Sequence, residues 1–272
     1  MSEDLSDVAL HAARAAAELV RGRASRGVVV AATKTSDVDV VTEADRASEV
    51  LIRDEIRDRR PDDAFLGEEG SDESGTSGVR WIIDPIDGTV NFLYGIPQYA
   101  ISIAAELNGE VVAGVVLNVA TGTEYVAREQ PGGTVVALRD GESIAVRSPA
   151  PLSQRLVATG FSYDRDLRVL QARALVRLIP QVRDIRRLGS CALDLCHVAE
   201  GAVDAYVEEG VNLWDHAAGG FIARAAGARS ELTVGVGGKT LLVCAPAHGF
   251  DEFRSAVVNA GYAASPPAET GE

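Results

Sequence analysis

Three groups of acidic side chains stand where apolar runs end. Glu68 and Glu69 follow "AFLG", Asp84 and Asp87 lie in "WIIDPIDGTVNF" (Trp81 to Phe92), and Asp215 lies in "NLWDHAAGG" (Asn212 to Gly220). The central group is the most informative. Trp81-Ile82-Ile83 reads as a buried strand with Asp84 at its carboxyl end. Pro85 is expected to fix a tight turn that swings Asp87 back beside Asp84. Two carboxylates that close cannot both stay ionised without a cation beside them. Asp87-Gly88-Thr89 reads as a helix start with Asp87 as N-cap, which leaves the Gly88 and Thr89 N–H groups pointing outward. Hard oxygen ligands beside such amides suit Mg²⁺ and a phosphate. Each group also has a plainer reading. Asp84 to Thr89 could be a decorated turn, Asp215 an N-cap, and Glu68-Glu69 a solvated pair. The cap and cation roles of Asp215 are compatible, because a capping carboxylate keeps a second oxygen free.

The elements that must bring these groups together follow from periodicity. Asp4 to Val20 places Leu5, Val8, Ala9, Ala12, Ala16, Leu19 and Val20 at helical spacing. Asp45 to Arg59 repeats the pattern, with Val50, Leu51 and Ile56 on one side and Pro61 closing it. Gly70 to Gly78, "GSDESGTSG", has the composition of a loop, and acidic motifs on both sides of it must converge to act. From Tyr99 to Val146, turn dipeptides such as Asn108-Gly109 and Asp140-Gly141 punctuate Val/Ile/Ala-rich runs, which predicts an antiparallel meander. After about residue 150, strands alternate with helices over Leu167–Leu178, Ala192–Glu200, Ala217–Ala226 and Phe250–Ala260, which predicts a layered α/β half.

Composition narrows the function further. Twenty-six Lys plus Arg against 40 Asp plus Glu give a net charge of −14, which argues against a sequence-independent grip on nucleic acid and against a polybasic membrane-surface role. No stretch reads as a membrane span or a basic secretory signal, and the three cysteines, Cys191, Cys196 and Cys244, suit a reducing compartment, so a cytoplasmic location is expected. Only 5% of the residues are aromatic, so Val, Ala, Leu and Ile must build the core. The histidines, His11, His197, His216 and His248, are scattered and show no zinc spacing. Cys191 and Cys196 read as small buried apolar residues.

With Glu68-Glu69, "WIIDPIDGTVNF" and "WDHAAGG" in this order, the chain resembles the inositol monophosphatase family of Mg²⁺-dependent, lithium-sensitive phosphatases, from the first helix to about residue 260. The resemblance implies a five-layered α-β-α-β-α sandwich of the inositol monophosphatase and fructose-1,6-bisphosphatase type. Residues 1–148 would form an N-terminal half with a large antiparallel sheet and most metal ligands. Residues 149–272 would form a C-terminal α/β half carrying Asp215 and substrate contacts, the two making one catalytic unit. It implies two or three Mg²⁺ per site, with Mn²⁺ able to substitute. Glu68, Asp84 and the Ile86 carbonyl match the ligands of a first metal, and Asp84, Asp87 and Asp215 those of a second. Thr89 and Glu68 match the pair that activates the attacking water, and Asp45 the acid that supports the threonine. Gly88 and Thr89 match the phosphate cradle. Gly189, Ser190, Cys191, Glu208 and Asp215 match substrate contacts, and Lys34, Asp39, Thr42 and Glu69 a loop and third-metal region. Ser190-Cys191 and Glu209 depart from the common family residues, on the substrate side of the site. The implied reaction is hydrolysis of a phosphomonoester, inositol 1-phosphate first, by a homodimer with no nucleic-acid or membrane partner.

Other readings compete. The same scaffold serves fructose 1,6-bisphosphate, histidinol phosphate and phosphoadenosine phosphate. "DVDVV", Asp37 to Val41, fits an Asp-x-Asp nucleophile motif, but Thr33 to Ser36 separate it from the preceding strand. A non-catalytic regulatory role would be expected to have cost the chain at least one proposed ligand.

Overall fold

The structure is a computed structural model describing residues 4–25, 30–33, 40–130 and 132–264. In chain order the helices are α1 (Leu5–Ala24), α2 (Glu43–Arg57), α3 (Thr89–Tyr94), α4 (Arg165–Leu178), α5 (Cys191–Ala199), α6 (Leu213–Ala225) and α7 (Phe250–Ala260). The strands are β1 (Val30–Thr33), β2 (Val40–Thr42), β3 (Ala64–Gly67), β4 (Val79–Asp87), β5 (Ala100–Leu107), β6 (Glu110–Asn118), β7 (Glu124–Glu129), β8 (Val135–Arg139), β9 (Glu142–Ser143), β10 (Leu156–Thr159), β11 (Asp184–Arg186), β12 (Ala205–Glu209), β13 (Ala228–Val234) and β14 (Thr240–Pro246). No helix among the described residues is long and apolar enough to cross a membrane.

Side-chain alternation along the strands sorts these elements into layers. On β4, Trp81 and Ile83 point one way and join Ile101, Ile103, Val115 and Leu117 beneath α1 and α2. Ile82 points the other way, with Ala104 and Val116, onto α5 and α6. Those two helices also cover Ala158, Tyr206, Leu242 and Cys244 of a second sheet, whose far face, Val157, Val207 and Val243, packs on α4 and α7. The order is α1α2, sheet, α5α6, sheet, α4α7: the five-layered sandwich. Alanine makes it compact. Ala9, Ala12, Ala13, Ala16 and Ala17 are all buried on α1 and let that helix lie close to the sheet.

The first sheet has the order β3-β4-β5-β6-β7-β8-β9, antiparallel except for the parallel β3–β4 pair. The second has the order β11-β10-β12-β14-β13. Its alternating β and α elements are only partly parallel: β10 pairs in parallel with β11 and β12, but β14 runs antiparallel to β12 and β13. Strand β13 itself is absent from the sequence expectation, because its Leu232 and Val234 are exposed on an edge and give no buried run.

Helix α2 corrects another expectation. Its buried face carries Asp45, Ser48, Glu49 and Arg53 beside Ile52 and Ile56, whereas Val50 is 59% exposed. The reason is functional packing: this face meets the loops that carry the acids, so charged residues turn inward and find partners there.

The middle layer sits close to the first sheet at Gly114 of β6. A Cβ there would lie 2.9 Å from the Ala218 carbonyl oxygen of α6. Replacing a strand glycine by alanine ordinarily helps stability through the unfolded chain. Here Gly114→Ala is expected to destabilise by about 1–3 kcal/mol through overpacking, measured by denaturant unfolding. An unchanged midpoint would mean that α6 can move off the sheet at no cost.

Candidate active site

Asp84 and Asp87 reach the same place because β4 is bulged. Asp84 pairs with Ser102 and Asp87 with Ala100, so Pro85 and Ile86 together oppose the single residue Ile101. One extra residue flips side-chain parity. Ile86 therefore joins Trp81 and Ile83 beneath α1 and α2, and Asp87 returns to the face shared by Ile82 and Asp84. The strand runs on to Asp87, so a bulge, not the expected tight turn, brings the two acids together. The Asp84 carboxylate accepts the Ile86 N–H at 3.1 Å, and the Ser48 hydroxyl donates to the Pro85 carbonyl at 3.1 Å. Both bonds hold the bulge in shape.

The next residues turn sharply. The N-cap of α3 is Gly88, not the expected Asp87, and Gly88 has φ +92°. A Cβ at Gly88 would also stand 2.9 Å from the Gln98 carbonyl oxygen, so glycine is required twice over. Asp87 is instead taken up by the second half of the chain. Its Oδ2 accepts from the Ser190 hydroxyl at 2.6 Å and from the Ala192 N–H at 2.7 Å, at the start of α5. Ser190 is buried and also caps α5, so its hydroxyl is committed to the fold and to Asp87.

Asp215 arrives on α6. The N-cap there is Asn212, and Asp215 sits in the first turn with Oδ2 accepting the Asn212 N–H at 2.6 Å. Glu68 follows β3 and its N–H continues the pairing to the Ile83 carbonyl at 3.2 Å. Thr89 stands at the start of α3, its hydroxyl 3.0 Å from both Asp45 Oδ1 and the Ile86 carbonyl oxygen. Asp45 is buried and is held in turn by the Thr42 hydroxyl and by the Thr42 N–H at 2.9 Å. Thr42 is thus the N-cap of α2 and a support for Asp45. Lys34 and Asp39 lie outside the described residues.

Glu68, Asp84, Ile86, Asp87, Gly88, Thr89, Gly189, Cys191, Glu208 and Asp215 line one cavity of about 440 Å³ between the two sheets; Ser190, Asp45, Thr42 and Glu69 do not. Its floor is electrostatically unsettled. Burial raises the Asp84 carboxyl well above its ordinary range, and Glu68, Asp87 and Asp215 raise it further. The Glu68 carboxyl stands close enough to Asp84 to add to that rise. Asp215 is raised well above its usual value by burial and then by Asp87. Asp87 is pushed up to about 7 by burial, against the pull of Ser190 and Ala192. Glu208 is likewise pushed to about 7 by burial, although the Tyr206 hydroxyl donates to it. Asp84, Asp87 and Asp215 pair with no basic side chain among the described residues. A crowded, all-oxygen donor set with unmet negative charge fits hard divalent cations. Already-converged groups of three ligands are not present among the described residues; backbone amides and the Ser190 hydroxyl hold Asp84, Asp87 and Asp215 in their present arrangement.

Several positioning residues escaped the sequence reading. Glu49 on α2 accepts the Glu69 N–H at 2.7 Å and the Gly70 N–H at 2.9 Å, with Arg53 beside it at 2.8 Å, and so clamps the loop that presents Glu68. The i,i+4 spacing of Glu49 and Arg53 was the available signal, but a surface pair has the same spacing. Asn91 ties α3 to the second half through the Leu188 carbonyl at 2.8 Å. Near Gly160, Glu208 lies so close that a Cβ would overlap its carboxylate. Burial and nearby carboxylates push the Cys191 thiol up, so it is not a thiolate, and burial lowers His216 to about 4, so it is neutral at pH 7.

Comparison with known proteins agrees with this architecture. Residues 1–255 match the model of the inositol monophosphatase family. An inositol-1-monophosphatase of Mycobacterium bovis is 45% identical over 269 residues, covering 93% of each chain. The solved structure of Mycobacterium tuberculosis SuhB superposes with a TM-score of 0.79 at 41% identity, covering 95% of this chain and 97% of that one. A protein of Pasteurella multocida named Nus factor SuhB is 37% identical over 223 residues, covering 81% of this chain and 82% of its own. This chain belongs to the inositol monophosphatase family and is a phosphatase.

The raised carboxyls have a thermodynamic consequence. Folding favours their neutral forms, so the stability they contribute is full below the ordinary carboxylate range. It is lost as pH rises through their folded-state values, about 7 for Asp87 and Glu208. In a chelating buffer the melting temperature is therefore expected to fall between about pH 5 and pH 8. Asp84→Asn should flatten that fall and raise the melting temperature at pH 8, whereas Asp72→Asn, at an exposed position, should do neither. Equal slopes in the two variants would disprove the crowding of the floor.

Proposed function

We propose that this phosphatase hydrolyses inositol monophosphate through Mg²⁺-assisted attack of water, with Mn²⁺ as a substitute metal. The observation that carries the reading is the cavity floor, where acids from both halves of the chain meet and Asp84, Asp87 and Asp215 have no basic partner among the described residues. Glu68, Asp84 and the Ile86 carbonyl would hold one ion, and Asp84, Asp87 and Asp215 a second. When bound, these ions supply positive charge to the phosphate and leaving oxygens and acidify the nucleophilic water. That contribution is needed, because uncatalysed phosphomonoester hydrolysis is among the slowest known reactions and a side-chain acid or base offers only about 10²–10⁴-fold.

The chain's own residues do the rest. Thr89 donates its hydroxyl proton to Asp45, which turns a lone pair of the Thr89 oxygen toward the water. Glu68 accepts the water's proton as the oxygen attacks phosphorus, the bond from phosphorus to the ester oxygen breaks, and the departing alkoxide takes a proton from solvent to leave as the alcohol. The Gly88 and Thr89 N–H groups, at the start of α3, receive phosphate oxygens. Glu208 accepts hydrogen bonds from hydroxyls of the alcohol, with Gly189 and Cys191 against its ring, and Ser190 acts by fixing Asp87. Glu69 belongs to the clamped loop behind Glu68. We read residues 1–148 and 149–272 as one catalytic unit, since neither half alone supplies the floor. A cytoplasmic location and a homodimer come with the same reading and rest on the family resemblance. The relatives named inositol-1-monophosphatase support this substrate. The relative named a Nus factor raises a role outside catalysis, but this chain keeps Glu68, Asp84, Asp87, Thr89 and Asp215 together, which a purely regulatory role would not require.

The test is phosphate release from inositol 1-phosphate with and without Mg²⁺, beside fructose 1,6-bisphosphate, histidinol phosphate and phosphoadenosine phosphate. Activity is expected to need the metal and to vanish with a chelator. Asp87→Asn should lower kcat at least about a hundredfold while far-ultraviolet circular dichroism stays that of the parent. Near-parental turnover in that variant, or metal-independent turnover in the parent, would refute the mechanism.

A further inference from the structure

The cavity with the acidic floor has a basic rim. Arg187, just after β11, and Lys239, in the turn between β13 and β14, both line it. Several other cations of this acidic chain are engaged, Arg53 with Glu49 and Glu73, Arg60 with Asp63 and Arg155 with Glu252, whereas these two stand on the cavity wall. The side chains of Arg187 and Lys239 are exposed and form no hydrogen bond or ion pair among the described residues. They are held near acids without touching them. Arg187 acts on Glu208 and Asp194 through space, and Lys239 on Asp164 and Glu209.

Lys239 is placed deliberately. The turn closes with the Gly235 N–H on the Lys239 carbonyl at 2.8 Å and the Gly238 N–H on the Gly235 carbonyl at 2.9 Å. Under it lies Glu209, 1% exposed, whose Oε1 accepts the Gly237 N–H at 2.8 Å and the Lys239 N–H at 3.1 Å. Glu209 adjoins Glu208 on β12, so the turn is moored to the strand that carries the proposed alcohol contact. The Lys239 stem then passes Gly210, where a Cβ would lie 3.8 Å from Lys239 Cδ. The exposed side chain lines the cavity there. Burying a carboxylate beneath a surface turn is costly, and two amide hydrogen bonds to the turn are what offset it.

A neutral polyol needs hydrogen-bond acceptors such as Glu208, and free cations over its site offer it little. A second anion on the alcohol would use both. We propose that Arg187 and Lys239 form a subsite for a second anionic group, phosphate or carboxylate, on the alcohol half of the substrate, and that Glu209 is the positioning residue that sets Lys239. The inference rests on the phosphomonoesterase reading above and refines its substrate class.

The test compares kcat/KM of the full-length chain with Mg²⁺ on inositol 1-phosphate, on fructose 1,6-bisphosphate and on 3-phosphoglycerate, which carries a carboxylate. Lys239→Gln is expected to lower the ratio of at least one doubly charged ester to inositol 1-phosphate about tenfold, through KM. Which ester responds identifies the second group. Glu209→Ala should move the ratio the same way, and Glu209→Gln should retain most of it, because the amide oxygen still accepts both N–H groups. In the parent, raising the salt concentration should shrink the ratio. Ratios within twofold of the parent in Lys239→Gln overturn the subsite, including where Glu209→Ala fails to fold. A parent that turns over inositol 1-phosphate but neither doubly charged ester also overturns the subsite and leaves the function standing. A parent that releases phosphate from none of the three overturns both.

Discussion

Mutual repulsion among carboxylates is the force around which this molecule is arranged. Glu68, Asp84, Asp87 and Asp215 come from β4 and its neighbours and from α6; burial makes the ionisation of Asp84, Asp87 and Asp215 harder, and neighbouring carboxylates add to it. Such a cluster cannot assemble itself; the scaffold has to hold it against its own electrostatics. It does so with amide and hydroxyl donors placed at helix starts and at a bulge: Ile86 for Asp84, Ser190 and Ala192 for Asp87, Asn212 for Asp215. Those donors soften the repulsion without cancelling it, and the residual charge demand is what the proposed hard cations would meet. Stability is given up at the floor and recovered in the five packed layers around it.

The layers explain why the acids can converge from so far apart in sequence. Helices α5 and α6 lie between the two sheets and touch both, so their N-terminal ends face the same cavity as the bulge of β4. Alanine and glycine contacts, such as Gly114 against Ala218, set the spacing of these layers. A side chain that thickened one interface would displace α6, and Asp215 with it.

Much of this was legible in the chain itself, for identifiable reasons. The acids of "DPIDGT" and "WD" and the order of helices and strands follow from short-range pattern, and they recur in the structure. Phe250–Ala260 is helical over its full expected span. What stayed hidden depended on long-range geometry. Asp84 and Asp87 are juxtaposed as expected, yet by a bulge against β5, and a bulge exists only relative to a partner strand. Val50 looked apolar and inward, but α2 turns its charged face inward because Glu49 and Arg53 meet the loop at Glu69 and Gly70. Strand β13 is an edge, where burial leaves little pattern to read. The antiparallel entry of β14 is a matter of topology that no local spacing encodes.

The position of Asp87 carries one more implication. One of its oxygens is bound to the start of α5, across the boundary between the two sheets, while the other faces the cavity. The same carboxylate is therefore latch and tool. Parting β4 from α5 would cost Asp87 both of these hydrogen bonds, so the orientation of this acid depends on the seam staying closed. On the proposed mechanism, loosening that one contact would lower turnover without unfolding the chain.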